Sequence, residues 1–152
     1  MPKPTVEQNT ILLVVLDNSV PNDMQKCLLE YHVAFYAPFK VKLIKPGNEW
    51  KKVKLTKTFF DDKKIRRRQY CEDEPEQVNS SDIIKYLKDF KSPETFCVLG
   101  VTCKDLYPRD EWSFVFGVAN FSTACGVFSF ARNSPDFPGN EHYEINWLSS
   151  SY

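Results

Sequence analysis

The sequence predicts a layered α/β (α+β) domain: a mixed, mostly parallel sheet of about five strands, backed by two helices. Three observations predict it. Two largely apolar runs, Ile11–Leu16 and Thr95–Thr102, have the length and β-branched content of strands buried on both faces. Two segments, Asn22 to about Tyr36 and Ile83–Phe90, space their apolar residues as amphipathic helices do. Trp112–Ala119 and Gly126–Ala131 are strand-like runs too close together for a parallel crossover, so they read as an antiparallel pair.

In chain order, Ile11–Leu16 is the first strand, and Asp17-Asn18-Ser19 breaks it. Pro21-Asn22-Asp23 starts a helix, because proline suits the first turn and Asp23 favours the positive helix end. Met24, Cys27, Leu28, Tyr31 and Phe35 form its expected apolar face, and Pro38 closes it. Phe39–Ile44 alternates apolar and basic residues, the pattern of a half-exposed strand. Trp50–Leu55 is a weaker strand signal after the Pro46-Gly47-Asn48 turn. The stretch around 56–80 holds the basic run Lys63–Arg68 and the acidic run Glu72–Glu76, and reads as a long, mobile, charged insertion. Ser80-Ser81-Asp82 offers an N-cap for the second helix. Asp105–Asp110 reads as a turn before the closing pair of strands. Residues 1–132 are expected to form the domain, and 133–152 an irregular C-terminal tail.

Composition narrows the function. Hydrophobic residues at 42% and charged residues at 26% fit a globular chain and exclude collagen-like, mucin-like and wholly disordered classes. Lys plus Arg and Asp plus Glu are each 20, and this zero net charge argues against a general nucleic-acid or membrane-surface binder. No apolar run approaches the roughly 20 residues of a membrane span. The N-terminus lacks a secretory pattern, and the five cysteines form no CxxC pair, which suits reduced thiols in the cytoplasm or nucleus.

The chemistry-bearing residues are few. His32 lies mid-helix and reads as a partly exposed surface histidine. His142 sits between Glu141 and Glu144 in the tail, too few ligands for a tight zinc site. Cys27 and Cys97 read as small core hydrophobes, and Cys125 as a turn residue. Asp105, Asp110 and Glu111 flank a strand end, where a turn or salt-bridge role is favoured over acid–base catalysis. The chain contains no GxSxG, P-loop, GxGxxG or HExxH motif.

Leu99-Gly100-Val101-Thr102, Asp105–Asp110, Trp112–Gly117 and Gly126–Arg132 together resemble the pre-catalytic half of an archaemetzincin, a metzincin-clan zinc metalloprotease, of the animal type. The resemblance runs from about Ile11 to Arg132. It implies a zincin-like upper subdomain whose antiparallel edge strand, Phe114, Val115, Phe116, Gly117, Val118 and Ala119, binds an extended peptide or protein partner by strand addition. The family signature, HExxHxxGxxH, supplies three zinc-binding histidines and a general-base glutamate. It is missing here, so no catalytic or metal-binding residue is expected in this chain, and zinc is expected only in a full-length family member. Val118 and Ser122–Cys125 also depart from the family pattern. Three readings follow: a catalytically inactive homologue, a fragment of an active metallopeptidase, or a non-enzymatic peptide-binding module. Without the active-site helix, Phe114, Phe116, Phe128, Phe130 and Trp112 are expected to leave an apolar patch.

Overall fold

A computed structural model describes residues 8–138. In chain order the elements are β1 (Thr10–Val15), α1 (Asn22–Phe35), β2 (Lys40–Ile44), β3 (Glu49–Trp50), β4 (Val53–Lys54), α2 (Phe59–Asp62) and β5 (Arg67–Arg68). Then come β6 (Gln77–Asn79), α3 (Ser80–Leu87), β7 (Thr95–Thr102), β8 (Asp105–Tyr107), β9 (Gly117–Asn120) and β10 (Cys125–Ser129). Short 3₁₀ turns follow α3 and β10.

The main sheet has five strands in the order β2-β1-β7-β10-β9. The first four are parallel, and β9 pairs antiparallel to β10 at the edge. β1 is buried along its whole length, as its unbroken apolar sequence requires of a strand covered on both faces. Leu12, Val14 and Leu16 face the larger core with Val98, Val127, Ile83 and Leu87 of α3. The opposite face holds a thinner cluster of Val15, Val20 and Val101, against which Met24, Leu28 and Phe128 pack. Gly100 lets α3 close on the sheet, because a Cβ there would lie 3.0 Å from Leu87 Cδ1 and 3.2 Å from Leu16 Cδ1.

The structure corrects several expectations. The stretch around 56–80 is not a mobile insertion. It carries α2, β5 and β6, and places Phe59, Phe60, Ile65 and Val78 in the main core, next to Leu55 just upstream. The charges that made it look detached are used locally. Arg66 pairs with Asp82, and Arg67 pairs with Asp61 and Glu76. Asp105–Tyr107 is a buried strand parallel to β6, not a turn. Trp50–Leu55 is a two-stranded hairpin, with Lys51 and Lys52 at positive φ in the turn.

α1 has the expected bounds but a different buried face. His32 is buried, not partly exposed, while Cys27, Tyr31 and Phe35 lie outside. The stripe facing the sheet is therefore Met24–Leu28–His32, spaced by four. The imidazole tolerates burial because Nδ1 bonds to the Leu28 carbonyl at 2.7 Å. Cys125, read as a turn residue, is buried in β10. The tail beyond Pro138, with Glu141, His142 and Glu144, lies outside the described residues.

Candidate peptide-binding edge

The expected edge strand spans Phe114–Ala119, whereas the observed strand is Gly117–Asn120. The lead-in is irregular for a physical reason. Val115 turns toward β8, donating its N–H to the Leu106 carbonyl at 2.9 Å, so it leaves the β10 ladder. Phe114 is drawn the other way, under the Arg132 guanidinium, 3.5 Å from the ring centre. Phe116 rejoins the ladder, accepting from Ser129 N–H at 2.8 Å. Phe114, Val115 and Phe116 are therefore the approach to the edge, and Gly117, Val118 and Ala119 are the edge itself.

Antiparallel ladders alternate between pairs that exchange hydrogen bonds and pairs that do not. Phe116 bonds to Ser129, so in this register Val118 faces Val127 as a bonded pair, and Gly117 and Ala119 face Phe128 and Gly126 as non-bonded pairs. The backbone N–H and C=O groups of Gly117 and Ala119 thus point outward. Gly117 also needs to lack a side chain, because a Cβ there would sit 2.9 Å from Phe128 Cβ and from the Val127 carbonyl.

The two edges of the sheet differ. β2 carries Lys40 and Lys42, with Lys45 just beyond, charges that discourage another strand from adding. The stretch Phe116–Phe121 around β9 has no charge, and Phe116 and Phe121 at its ends are 56% and 94% exposed. Strand addition uses an exposed sheet edge, and β9 is one without the charges that guard β2.

Behind the edge lies a network that sequence reasoning missed. Asp105, 3% exposed, receives Arg132 Nε and Nη2, each at 3.0 Å, and Gln77 Nε2 at 2.8 Å. Arg68 donates to Gln77 Oε1 and to the carbonyls of Asp110, Trp112 and Ser113. Its guanidinium also lies over Tyr107, 4.0 Å from the ring centre. Of the three candidate carboxylates, only Asp105 is buried and engaged. Asp110 and Glu111 are exposed, so the structure brings together no acid–base pair from them.

The comparisons fit this architecture. No protein-family model matches the chain. Human archaemetzincin-2 is 39% identical over 112 residues, which cover 74% of this chain and 28% of the relative. The mouse protein of the same name is 39% identical over 124 residues, 82% of this chain and 31% of the relative. Over the matched residues this chain belongs to the archaemetzincin family. It spans less than a third of the length of these curated relatives. The crystal structure of the archaemetzincin from Methanopyrus kandleri superposes with a TM-score of 0.57 at 25% identity, covering 92% of this chain and 67% of that one. The parallel sheet with one antiparallel edge strand is thus the archaemetzincin zincin-like arrangement, and the family is metallopeptidase-like.

Archaemetzincin residues for zinc do not follow from this part of the chain. His32 has its Nδ1 engaged by the Leu28 carbonyl, and its ring is flanked by Tyr31 and Tyr36. The Cys97 thiol is pushed up to about 11 by burial, with the nearby Cys125 adding to the rise. Burial likewise raises Cys103 and Cys125, which disfavours the thiolate form a metal needs. Among the described residues no group of three or more His, Cys, Asp and Glu is arranged to hold a metal ion. The described residues therefore do not fit zinc.

Proposed function

We propose that these 152 residues are the peptide-docking part of an archaemetzincin-type framework: they hold an extended segment along β9 by strand addition and do not hydrolyse it themselves. The observation that carries this reading is the contrast between the lysine-guarded β2 edge and the uncharged, aromatic-flanked β9 edge of one sheet. The outward N–H and C=O groups of Gly117 and Ala119 supply the affinity. Inactivity rests on chemistry: the signature needs three histidines and a glutamate at fixed spacing, and the chain has two histidines, neither in such a motif.

The test is fluorescence polarisation with a labelled Val/Thr-rich decapeptide. Ala119→Pro removes one outward N–H while leaving the Val118 and Asn120 pairings with β10 in place. Binding is expected to weaken at least about tenfold, which is 1.4 kcal/mol, with the far-UV spectrum unchanged. Wild-type affinity in this variant would overturn the reading.

The short coverage of the relatives favours a second reading, a piece of a longer, zinc-dependent peptidase. Native mass spectrometry of the endogenous protein separates the two. A 17.7 kDa species without zinc supports the docking module. A heavier, zinc-loaded species supports the peptidase, with β9 as its substrate edge.

A further inference from the structure

We propose that a cavity beside the lead-in to β9 takes a basic side chain, lysine or arginine, of a docked peptide. The peptide's path rests on the strand-addition reading above, but the chemistry of the cavity stands apart from it. The cavity has a volume of about 480 Å³ and lies between segments 69–77, 110–113 and 132–138.

Its floor is closed and neutral. Arg132 commits Nε and Nη2 to Asp105, and Gln77 Nε2 bridges Asp105 to the Ser113 carbonyl, both bonds at 2.8 Å. Its walls are aromatic: Trp112 and Tyr70 are 53% and 67% exposed, and Phe137 packs against Arg132. Its rim carries Glu74, Asp110 and Glu111. All three are exposed, and among the described residues none forms a salt bridge, unlike Asp61, Asp82, Glu94 and Asp105. Arg68, which lies over Tyr70, has its donors turned into the carbonyls of 110, 112 and 113 and into Gln77.

An aromatic wall under carboxylates that hold no salt-bridge partner among the described residues, with Asp110 feeling the charge of Arg66 at longer range, suits a cation on an apolar stem. The methylenes of a lysine or arginine lie on the rings, and the charged head meets ring faces and carboxylates together. An anion would meet three like charges, while Arg132 turns Nε and Nη2 into Asp105 and Arg68 turns its donors into Gln77 and three backbone carbonyls. The spacing is also suitable. Ser113 lies four residues before Gly117, so the irregular lead-in separates them by at most about 13 Å. A peptide on β9 that continues past Gly117 for about four residues therefore delivers a side chain to the cavity.

Two probes test this on the full chain. N-acetyl-lysine N-methylamide and N-acetyl-norleucine N-methylamide, which keeps the four-carbon stem and lacks the ammonium, are titrated while the Trp112 indole N–H is followed by NMR, with Trp112→Phe assigning the signal. The lysine compound is expected to shift that resonance, less so in high salt, and the norleucine compound to leave it in place. In decapeptides long enough to run past Gly117, lysine at the reaching position is expected to bind about tenfold tighter than norleucine. The double change Asp110→Asn with Glu111→Gln should erase that preference while sparing the norleucine peptide. A lysine response that persists in Ala119→Pro upholds this cavity even if strand addition fails. Equal affinity of both peptides, with no Trp112 shift, overturns the proposal even if strand addition holds.

Discussion

At the scale of single residues, Arg132 ties the most together. Its guanidinium joins the stretch after β10 to β8 through Asp105, and it stacks on Phe114 of the approach to β9 and on Phe137. Truncating it leaves the Asp105 carboxylate, 3% exposed in the intact fold, with Gln77 as its one remaining side-chain donor among the described residues. Buried charges left without their partner are costly, and Arg132 keeps some solvent contact, so Arg132→Ala is expected to cost about 2–3 kcal/mol. Urea unfolding measures it, and a loss below about 0.5 kcal/mol would show that Asp105 finds other compensation. Gly117 makes a second residue-scale case. Gly117→Val forces a Cβ to within 2.9 Å of backbone and Phe128, so β9 should detach at its start. Faster hydrogen exchange at the Ser129 amide would report this, since that amide bonds to Phe116. Neither residue's role was legible in the sequence. Asp105 and Arg132 are 27 positions apart, and no periodicity links two charges that meet only in the folded sheet.

At the scale of elements, α3 shows what local chemistry dictates. Asn79 caps it, accepting the Asp82 N–H at 2.9 Å. The cap lies one residue before the Ser80-Ser81-Asp82 signal that predicts the helix start. Asn79→Ala should cost about 1 kcal/mol. Asp82 adds a pH dependence. Burial opposes its charge, but the Arg66 side chain and N–H more than offset this, holding its carboxyl below the ordinary range. A lowered folded pKa contributes stability that is fully present above the unfolded value of about 3.9 and is lost as pH falls through the folded value. Asp82→Asn should therefore lower the urea midpoint at pH 6, with the difference from wild type shrinking toward pH 3. A gap that stays constant would exclude Asp82 as the source.

Elements with strong periodicity were readable: β1, β7, α3 and the bounds of α1. The face of α1 was not, because Met24–Leu28–His32 and Cys27–Tyr31–Phe35 are both spaced by four, and the second stripe is the more apolar. The sheet chose the first, leaving Tyr31 and Phe35 stacked on each other, ring centres 5.4 Å apart, at the surface. The 56–80 stretch was misread because its charges outnumber its core residues. Phe59, Phe60, Ile65 and Val78 are scattered without a period, and only the tertiary fold collects them.

At the scale of the whole molecule, the candidate edge was legible only through the resemblance, and then only approximately. The resemblance implies an edge strand from Phe114, but the pull of Arg132 and Leu106 on the lead-in delays it to Gly117. The apolar patch expected beside it is real but divided. Trp112 and Phe116 are exposed, while Phe114, Phe128 and Phe130 are half-buried. This arrangement predicts concentration-dependent self-association through β9. Ala119→Lys places a charge at an exposed edge position and should suppress it in sedimentation velocity, as should an excess of the docking peptide. Association unchanged by both would move the contact to another face, such as the exposed aromatics of α1.

The asymmetry of the two sheet margins also sets an upper limit on such growth. When two copies join through their β9 strands about a two-fold axis, each spends its one receptive margin, and both outer margins of the joined sheet are β2, studded with Lys40 and Lys42. The assembly is self-terminating: a pair can form, and a fibril cannot propagate from it.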